Sequence, residues 1–138
     1  MSDVDKTWAL DPRLETDSLA LTSLELCDVR LANDARWPWL ILVPRVANAE
    51  ELFDLRPGQR EAAMQEATMV GEKLKAVTSC EKINIAAIGN VVRQLHIHVA
   101  ARATGDENWP RPIWGHGTAQ PYEAGHGQAL IAHLRSIL

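Results

Sequence analysis

The stretch Gln94-Leu95-His96-Ile97-His98-Val99-Ala100 alternates polar and apolar side chains from its first residue to Val99. Successive side chains of a β-strand point to opposite faces, so the even-numbered residues share one face and the odd-numbered residues share the other. The odd-numbered face is apolar and predicts contact with a core. The even-numbered face predicts a cleft in which two imidazoles lie roughly 6.6 Å apart, and it also carries Arg102.

The flanking sequence predicts further strands of the same sheet. Ile83–Ile88 keeps a period of two and is joined to Val92–Arg102 by a Gly89-Asn90 turn, which predicts an antiparallel pair. Ser23–Ala32 alternates imperfectly, and Trp39–Val43 is apolar throughout and is stopped by Pro44, as expected for a central strand.

Helical spacing is found in two places. Small and apolar residues recur every three or four positions after Pro57, which suits a first helical turn, so a helix is predicted over about 57–78. Residues 103–120 are rich in Gly, Pro and Trp and predict a long loop, followed by a short terminal helix within Glu123–Leu138. The pattern predicts a single α+β domain over residues 1–138, with one antiparallel sheet and a long helix on one face.

The composition excludes several classes of function. A net charge of -4 without a Lys/Arg run argues against nonspecific binding to nucleic acid. Cys27 and Cys80 have no CxxC partner for zinc, and both are predicted to be buried thiols in a reducing compartment. Met1–Lys6 is acidic without the features of a secretory signal, and Trp37–Pro44 is too short to span a bilayer, so no membrane contact and a cytoplasmic location are expected.

The two histidines allow three interpretations. They are tolerated on a solvated strand face, they chelate a metal as a His-x-His pair, or they perform chemistry on a substrate. Metal chelation lacks a third ligand nearby in the sequence, and the solvated face is disfavoured by the dense row of donors that Gln94 and Arg102 complete.

The strand resembles the signature His-φ-His-φ-His-φ-φ of the histidine triad superfamily, in which φ is an apolar residue. The match covers His96, His98 and the trailing apolar pair, with the amide residue Asn84 on the preceding strand. It departs at the first position, where Gln94 replaces histidine. The resemblance implies a sheet of about five antiparallel strands with one long helix on one face, a short C-terminal helix and a homodimer.

The resemblance also implies a mechanism. His96 would attack the α-phosphate of a nucleotide to form a nucleotidyl-histidine, because a neutral imidazole has one unprotonated ring nitrogen. His98 would contact the phosphate or the leaving oxygen, and the main-chain carbonyl of Gln94 would orient His96. The side chain of glutamine keeps a donor and an acceptor but does not titrate, so altered chemistry is expected rather than lost chemistry.

Asn84 must share the face of His96 if it is to contact the substrate. A two-residue turn at Gly89-Asn90 would pair Asn84 with Leu95, on the wrong face, whereas a three-residue turn would pair it with His96. We therefore predict a turn of odd length or a bulge. The alternative is a polar residue at the start of a strand.

Family members carry an acidic or amide residue that binds the ribose hydroxyls after the strand preceding the central one. Asp34 or Asn33 matches this place, and a carboxylate can accept both hydrogen bonds from a vicinal diol. The alternative for each is an Asx turn. Arg36 and Arg45 are interpreted as surface charges.

The segment Trp109–Gly117 resembles one found in a subset of bacterial histidine triad proteins. Arg111 or His116 could reach a phosphate and a tryptophan could stack on a base, or the tryptophans fill the core or a subunit contact. The resemblance implies hydrolysis or transfer at the α-phosphate of a dinucleoside polyphosphate or a nucleoside phosphoramidate, with no cofactor except a divalent cation that accompanies the nucleotide. The alternatives are nucleotide binding with little turnover and a metal site on His96 and His98.

Overall fold

The strands within the described residues form one antiparallel sheet, in which the first, second, third, fifth and fourth strands along the chain lie side by side in that order. The computed structural model describes residues 7–138, so Met1–Lys6, for which the sequence predicts no secretory signal, lies outside the described residues. The elements in chain order are α1 (Pro12–Thr16), β1 (Ser18–Ser23), β2 (Cys27–Ala32), β3 (Trp39–Pro44), a 3-10 turn (Leu52–Asp54), α2 (Pro57–Thr78), β4 (Lys82–Ala86), β5 (Ile97–Arg102) and α3 (His126–Arg135). The predicted α+β fold is confirmed: five antiparallel strands, a long helix across one face and a short C-terminal helix.

The long helix α2 has the predicted bounds. It begins at Pro57, whose fixed φ suits the first helical position, and it ends before Ser79, which adopts a left-handed conformation. Its buried face packs on the apolar face of β5, so the odd-numbered residues of that strand meet the core as predicted. Gly71 permits a close approach, because a Cβ there would lie 3.3 Å from Cγ2 of Ile83 on β4.

The opposite face of the sheet is covered as well. Ala100 of β5 packs with Trp37 and Ile113, which belong to the loops before β3 and after β5. Leu14 of α1 packs on residues of β2 and β3. Every residue of β5 is therefore buried, including His98 and Arg102.

The prediction of one strand over Ser23–Ala32 is wrong, because two strands are joined within it. Glu66 of α2 accepts hydrogen bonds from the N–H groups of Leu26 and Cys27, both at 2.9 Å, and fixes the start of β2. This contact joins residues that are about forty positions apart, so the local pattern does not contain it.

The predicted odd length of the connection between the last two strands is confirmed, because Ala86 pairs with His98 and residues 87–97 between them are odd in number, but the predicted tight turn is wrong. Residues 87–96 form a loop, and Asn84 pairs with Ala100 instead of Leu95 or His96. The N–H of Leu95 donates to the carbonyl oxygen of Ala49 at 2.9 Å, and its side chain is buried in the core. This contact draws the chain away from β4, so β5 begins one residue after His96.

None of the helices within residues 7–138 combines the length and the apolar character that crossing a membrane requires. Both cysteines are free thiols. Cys27 is buried, and burial raises the pKa of its thiol, which makes it a poor nucleophile. Cys80 is only half-buried, contrary to the prediction, because it lies in the exit from α2.

Candidate active site

His96 is held by a main-chain contact immediately before β5. Its Nδ1 lies 2.7 Å from the carbonyl oxygen of Gln94, and only 6% of the residue is exposed. A carbonyl oxygen can only accept, so Nδ1 must carry the proton and donate. In the neutral ring the lone pair is then on Nε2, for which residues 7–138 provide no hydrogen-bond donor or acceptor.

His98 is held in the opposite tautomer. The indole Nε1–H of Trp39 donates to its Nδ1 at 3.0 Å, so the proton of the neutral ring is on Nε2. The ring contacts Trp39 and Trp114, with centroids 5.5 Å and 5.4 Å away. Burial, and secondarily the charge of His96, lower the pKa of His98 to about 3. His98 is therefore a neutral hydrogen-bond donor at neutral pH.

The two rings are close enough to act on one group. Their centroids are 4.8 Å apart in an edge-to-face arrangement. One ring offers a lone pair on Nε2 and the other offers an N–H on Nε2. Such a pair can present a nucleophile to a phosphorus atom and a hydrogen-bond donor to an oxygen bound to it.

A cleft of about 890 Å³ opens beside His98, which lines it, and the ring of His96 lies 4.8 Å from that of His98 without being part of the lining itself. Its walls come from α1, from the loop at residues 88–92, and from the segment between Ile113 and Pro121. Three tryptophan and histidine side chains border it near His98: Trp39, Trp114 and His116. The cleft is large enough for a nucleotide, since ligand pockets commonly measure roughly 300–1,000 Å³.

Asp34 lies in the cleft wall, but Arg36 occupies much of its carboxylate. The guanidinium makes two hydrogen bonds to it, Nε to Oδ1 at 2.9 Å and Nη2 to Oδ2 at 2.8 Å. Burial favours the protonated acid, but the hydrogen bonds from Arg36 outweigh it and keep the pKa of Asp34 below its usual value. The Arg36 N–H also donates to Oδ1, at 3.2 Å, which forms the Asx turn named as the alternative.

Asn33 is in the same wall and is likewise engaged. Its Oδ1 accepts from the N–H of Tyr122 at 3.0 Å, while the Gln120 N–H lies 3.4 Å from Oδ1 of Asp34. The two side chains therefore hold the segment that precedes α3 against the end of β2. Oδ2 of Asp34 and Oδ1 of Asn33 each have one protein donor and retain a lone pair for a ligand.

Three predicted site residues are not among the residues that line the cleft: His96, whose ring lies against that of His98, and also Asn84 and Gln94. Asn84 shares the face of His98, as required, but it pairs with Ala100 and its Oδ1 accepts from Arg102 at 3.3 Å. Arg102 is itself bound to Asp106 through two hydrogen bonds. The side chain of Gln94 points to the N-terminal segment, where it bonds to Ala9 and Asp11.

Several contacts in the site were not predicted from the sequence. Arg36 was interpreted as a surface charge, yet its side chain is only 6% exposed and it stacks 4.4 Å from the ring centroid of Trp37. Arg45 was interpreted in the same way, but it pairs with Asp28 at 2.7 Å. The available signal was the Asp-x-Arg spacing in a turn, which places a carboxylate and a guanidinium within reach of each other.

The segment Trp109–Gly117 contributes to both the core and the cleft. Ile113 is buried, Trp114 contacts His98, and the carbonyl oxygen of His116 accepts from Arg36 at 2.6 Å. Arg111 is exposed and is not among the residues of the cleft lining. Within residues 7–138, no three His, Cys, Asp or Glu side chains form a group that could hold a metal ion.

The geometry of two adjacent histidines at the start of a strand agrees with the comparison to protein families. The HIT domain model matches residues 13–105. The chain belongs to the histidine triad family. No curated protein matches the chain. The family as a class consists of proteins that bind nucleotides and often hydrolyse or transfer them, and this coarse description applies to the chain.

Solved structures of bacterial histidine triad proteins are similar over nearly the whole chain. The protein from Sinorhizobium meliloti 1021 is 48% identical, with a TM-score of 0.93 over 96% of this chain and 98% of that one. The protein from Bradyrhizobium japonicum is 44% identical, with a TM-score of 0.91 over 94% and 96% of the two chains. The protein from Marinobacter aquaeolei VT8 is 38% identical, with a TM-score of 0.92 over 95% and 96%.

Proposed function

We propose that this histidine triad protein hydrolyses or transfers nucleotides at the α-phosphate through a covalent nucleotidyl-His96 intermediate. The observation that carries the proposal is the hydrogen bond from His96 Nδ1 to the carbonyl oxygen of Gln94, which leaves the Nε2 lone pair for attack. This contact needs only the main chain of residue 94. The glutamine at that position therefore does not remove it.

The proposed reaction has two balanced steps. The Nε2 lone pair of His96 forms a bond to the α-phosphorus, and the bond to the leaving group breaks with its electron pair. A phosphate leaving group departs as its anion, whereas the nitrogen of a phosphoramidate takes up a proton from solvent before it departs as the neutral amine. Water then attacks the same phosphorus, the P–N bond breaks, one proton is released and the nucleoside monophosphate departs. In transfer reactions another hydroxyl replaces water.

His98 is proposed to stabilise charge rather than to move a proton. Its Nε2–H is available for an oxygen on phosphorus, while Trp39 occupies Nδ1 and the low pKa keeps the ring neutral. A leaving group that departs without strong acid catalysis suits such a site. The substrates proposed are nucleoside phosphoramidates and dinucleoside polyphosphates, with a divalent cation accompanying the latter.

The ribose is proposed to meet Asp34, with Asn33 beside it. The remaining lone pair on Oδ2 supports one hydrogen bond from a ribose hydroxyl. The Arg36 guanidinium would have to give up part of its contact before both hydroxyls bind. Asn84 is also proposed to contact the substrate, but its Oδ1 already accepts from Arg102, so that contact would have to open first.

A homodimer is also proposed, from the family and from the position of β4 at an edge of the sheet. Ile85 on this strand and Ile88 after it are 42% and 41% exposed. An edge strand with apolar side chains can pair with a second copy. Light scattering coupled to size-exclusion chromatography tests it, and a monomer at all concentrations would contradict it.

Covalent trapping tests the main proposal. The protein would be incubated with an adenosine phosphoramidate and, separately, with a diadenosine polyphosphate, quenched, and analysed by intact and peptide mass spectrometry. We expect one adenylyl group on His96, absent in His96→Ala and retained in His133→Ala, whose histidine is exposed on α3. An adduct that persists in His96→Ala would contradict the assigned nucleophile.

The low pKa of His98 favours a second candidate, a nucleotide-binding protein with little turnover, because a poor leaving group would find no ready acid. Tight AMP binding without turnover of any substrate supports this candidate. The metal alternative on His96 and His98 is checked by elemental analysis of untagged protein, in which stoichiometric zinc would support it.

A further inference from the structure

Gln94 uses both ends of its side-chain amide to hold the N-terminal segment. Its Nε2 donates to the carbonyl oxygen of Ala9 at 2.8 Å, and its Oε1 accepts from the N–H of Asp11 at 2.8 Å. A planar amide presents a donor and an acceptor side by side, which matches two main-chain groups of one segment. The ring nitrogens of histidine diverge, so a histidine at this position cannot make both bonds at once.

These bonds hold one wall of the cleft. The carboxylate of Asp11 accepts from the Arg13 N–H at 2.8 Å and caps α1, and Leu14 fixes the helix by burial against the sheet. Three residues in or directly after α1 line the cleft: Arg13, Thr16 and Asp17. A loss of the Gln94 amide would therefore loosen the start of a helix that borders the ligand.

The same wall adjoins the residues proposed to meet the ribose. The N–H of Asn33 donates to the carbonyl oxygen of Asp17 at 3.0 Å, which joins the end of α1 to the end of β2. The α1 wall consequently faces the nucleoside end of a ligand whose phosphate is at the histidines. Arg13, Thr16 and Asp17 offer both donors and acceptors for the polar edges of a nucleoside.

Gln94 also contacts the nucleophile, through its main chain, since its carbonyl oxygen accepts from His96 at 2.7 Å. We propose that Gln94 is a positioning residue whose side chain sets the α1 wall of the cleft against the segment that carries His96, so that residues 9–17 select the nucleoside end of a nucleoside 5′-phosphate. The inference rests on the proposed function. Glutamine in place of histidine at this position then adds two hydrogen bonds that hold one wall of the binding cleft.

The test compares two variants of the full chain, Gln94→Ala and Gln94→His, with the parent. Gln65→Ala is the matched control, because Gln65 is exposed on α2 and away from the cleft. Hydrogen exchange measured by mass spectrometry follows the amides of residues 9–16, and calorimetry gives the Kd of AMP. The kcat for an adenosine phosphoramidate is measured in parallel.

We expect both Gln94 variants to exchange faster over residues 9–16 and to bind AMP about tenfold more weakly, as two lost hydrogen bonds imply. Their kcat should stay within a few-fold of the parent, because the carbonyl that orients His96 remains. Gln65→Ala should match the parent in all three measurements. The effect on Kd without a comparable effect on kcat distinguishes a positioning role from general destabilisation.

Three outcomes overturn the inference. Unchanged exchange over residues 9–16 would show that the amide does not hold the segment. Faster exchange with unchanged AMP affinity would separate the segment from the cleft. If the Gln94→His variant turned over substrate faster than the parent, the glutamine would mark the loss of a catalytic histidine and not the gain of a positioning residue. If the parent itself neither binds nor turns over a nucleotide, the proposed function fails instead, and the ligand named here fails with it.

Discussion

The two ends of the cleft differ in how much of their hydrogen-bonding capacity the protein already uses. At one end, His96 and His98 each bond to the protein through Nδ1, which leaves Nε2 of each ring without a partner among residues 7–138. At the other end, Asp34 and Asn33 accept from Arg36, Gln120 and Tyr122. At the first end one nitrogen of each ring is open, whereas at the second end Oδ1 of Asp34 is already occupied by Arg36 and only the other two oxygens keep an open position.

A polar side chain that lies near a cleft therefore does not bind a substrate by virtue of its position alone. When protein groups fill every hydrogen-bonding position of a polar side chain in the wall, that side chain stabilises the fold. When one position has no protein partner, the side chain can also bind a substrate. The histidine end meets the second condition on both rings. At the opposite end, Oδ2 of Asp34 and Oδ1 of Asn33 each accept from one protein donor and keep one position open, whereas Oδ1 of Asp34 is already occupied by Arg36.

The largest expected effect is at the histidine end. His96→Asn should lower kcat by at least about a thousandfold, because it removes the nucleophile, while the Kd of AMP changes by less than about threefold. Steady-state kinetics and calorimetry on the same preparation measure both. A variant that retained a tenth of the parent activity would show that the open nitrogen of His96 is not the reacting atom.

The next effect is on stability at the other end. Arg36→Ala leaves the buried Asp34 carboxylate without its cation and should lower the free energy of unfolding by about 3 kcal/mol. Urea denaturation measures it, with Arg111→Ala as the control because Arg111 is an exposed arginine.

The proposed ribose contact is tested by comparing the Kd of AMP with that of its 2′,3′-dideoxy analogue. Equal affinities would remove Asp34 and Asn33 from the list of ribose ligands.

A pH effect follows from His98. Its pKa is about 3 in the folded chain against an ordinary value of 6.5, so between these values the unfolded chain binds the additional proton. The stability contributed by the neutral ring is complete above about pH 6.5 and falls by about 1.4 kcal/mol per pH unit below it.

Between pH 7 and pH 5, the parent should therefore lose about 2 kcal/mol more stability than His98→Asn, which has no group to titrate there. Urea denaturation at both pH values gives the difference for each protein. Parallel pH profiles for the two proteins would mean that the ring takes up its proton in the folded state.

The smallest effect concerns the indole that fixes the tautomer of His98. Trp39→Phe removes the donor to Nδ1 and should lower kcat by about fivefold, with a loss of stability of about 1 kcal/mol. Trp37→Phe is a matched control, because it loses an indole hydrogen bond to the carbonyl of Glu107. If the two variants lost the same fraction of kcat, Trp39 would be a packing residue only.

Regular elements were predictable where the local pattern and the tertiary contacts agree. The helix from Pro57 to Thr78 and the apolar face of β5 follow from spacing alone, since each face is decided by its own residues. The short helix α1 was missed although Asp11-Pro12 is a recognised helix start, an N-cap followed by proline. A single helical turn has too few residues to display a period.

The length of the connection between the last two strands was not predictable, because a distant contact decides it, although its odd parity was predicted. The Gly89-Asn90 pair is typical of a tight turn, yet the bond between Leu95 and Ala49 holds the chain in a ten-residue loop over 87–96. The candidate site followed the same division. The positions of His96 and His98 were predicted from the alternating pattern. Their neighbours in the cleft were not, because the contacts of Trp39 with His98 and of Arg36 with Asp34 depend on the tertiary fold.

The bond from His96 to the carbonyl oxygen of Gln94 has a consequence for how such proteins are recognised. A carbonyl oxygen is present at every position of a chain, so the amino acid at residue 94 is free to vary without removing the bond that orients the ring of His96. A sequence signature with three histidines is defined by side chains alone. It misses proteins in which the first position contributes only its main-chain carbonyl oxygen. Searches that require only the second and third histidines, with a strand after them, would find more proteins of this kind.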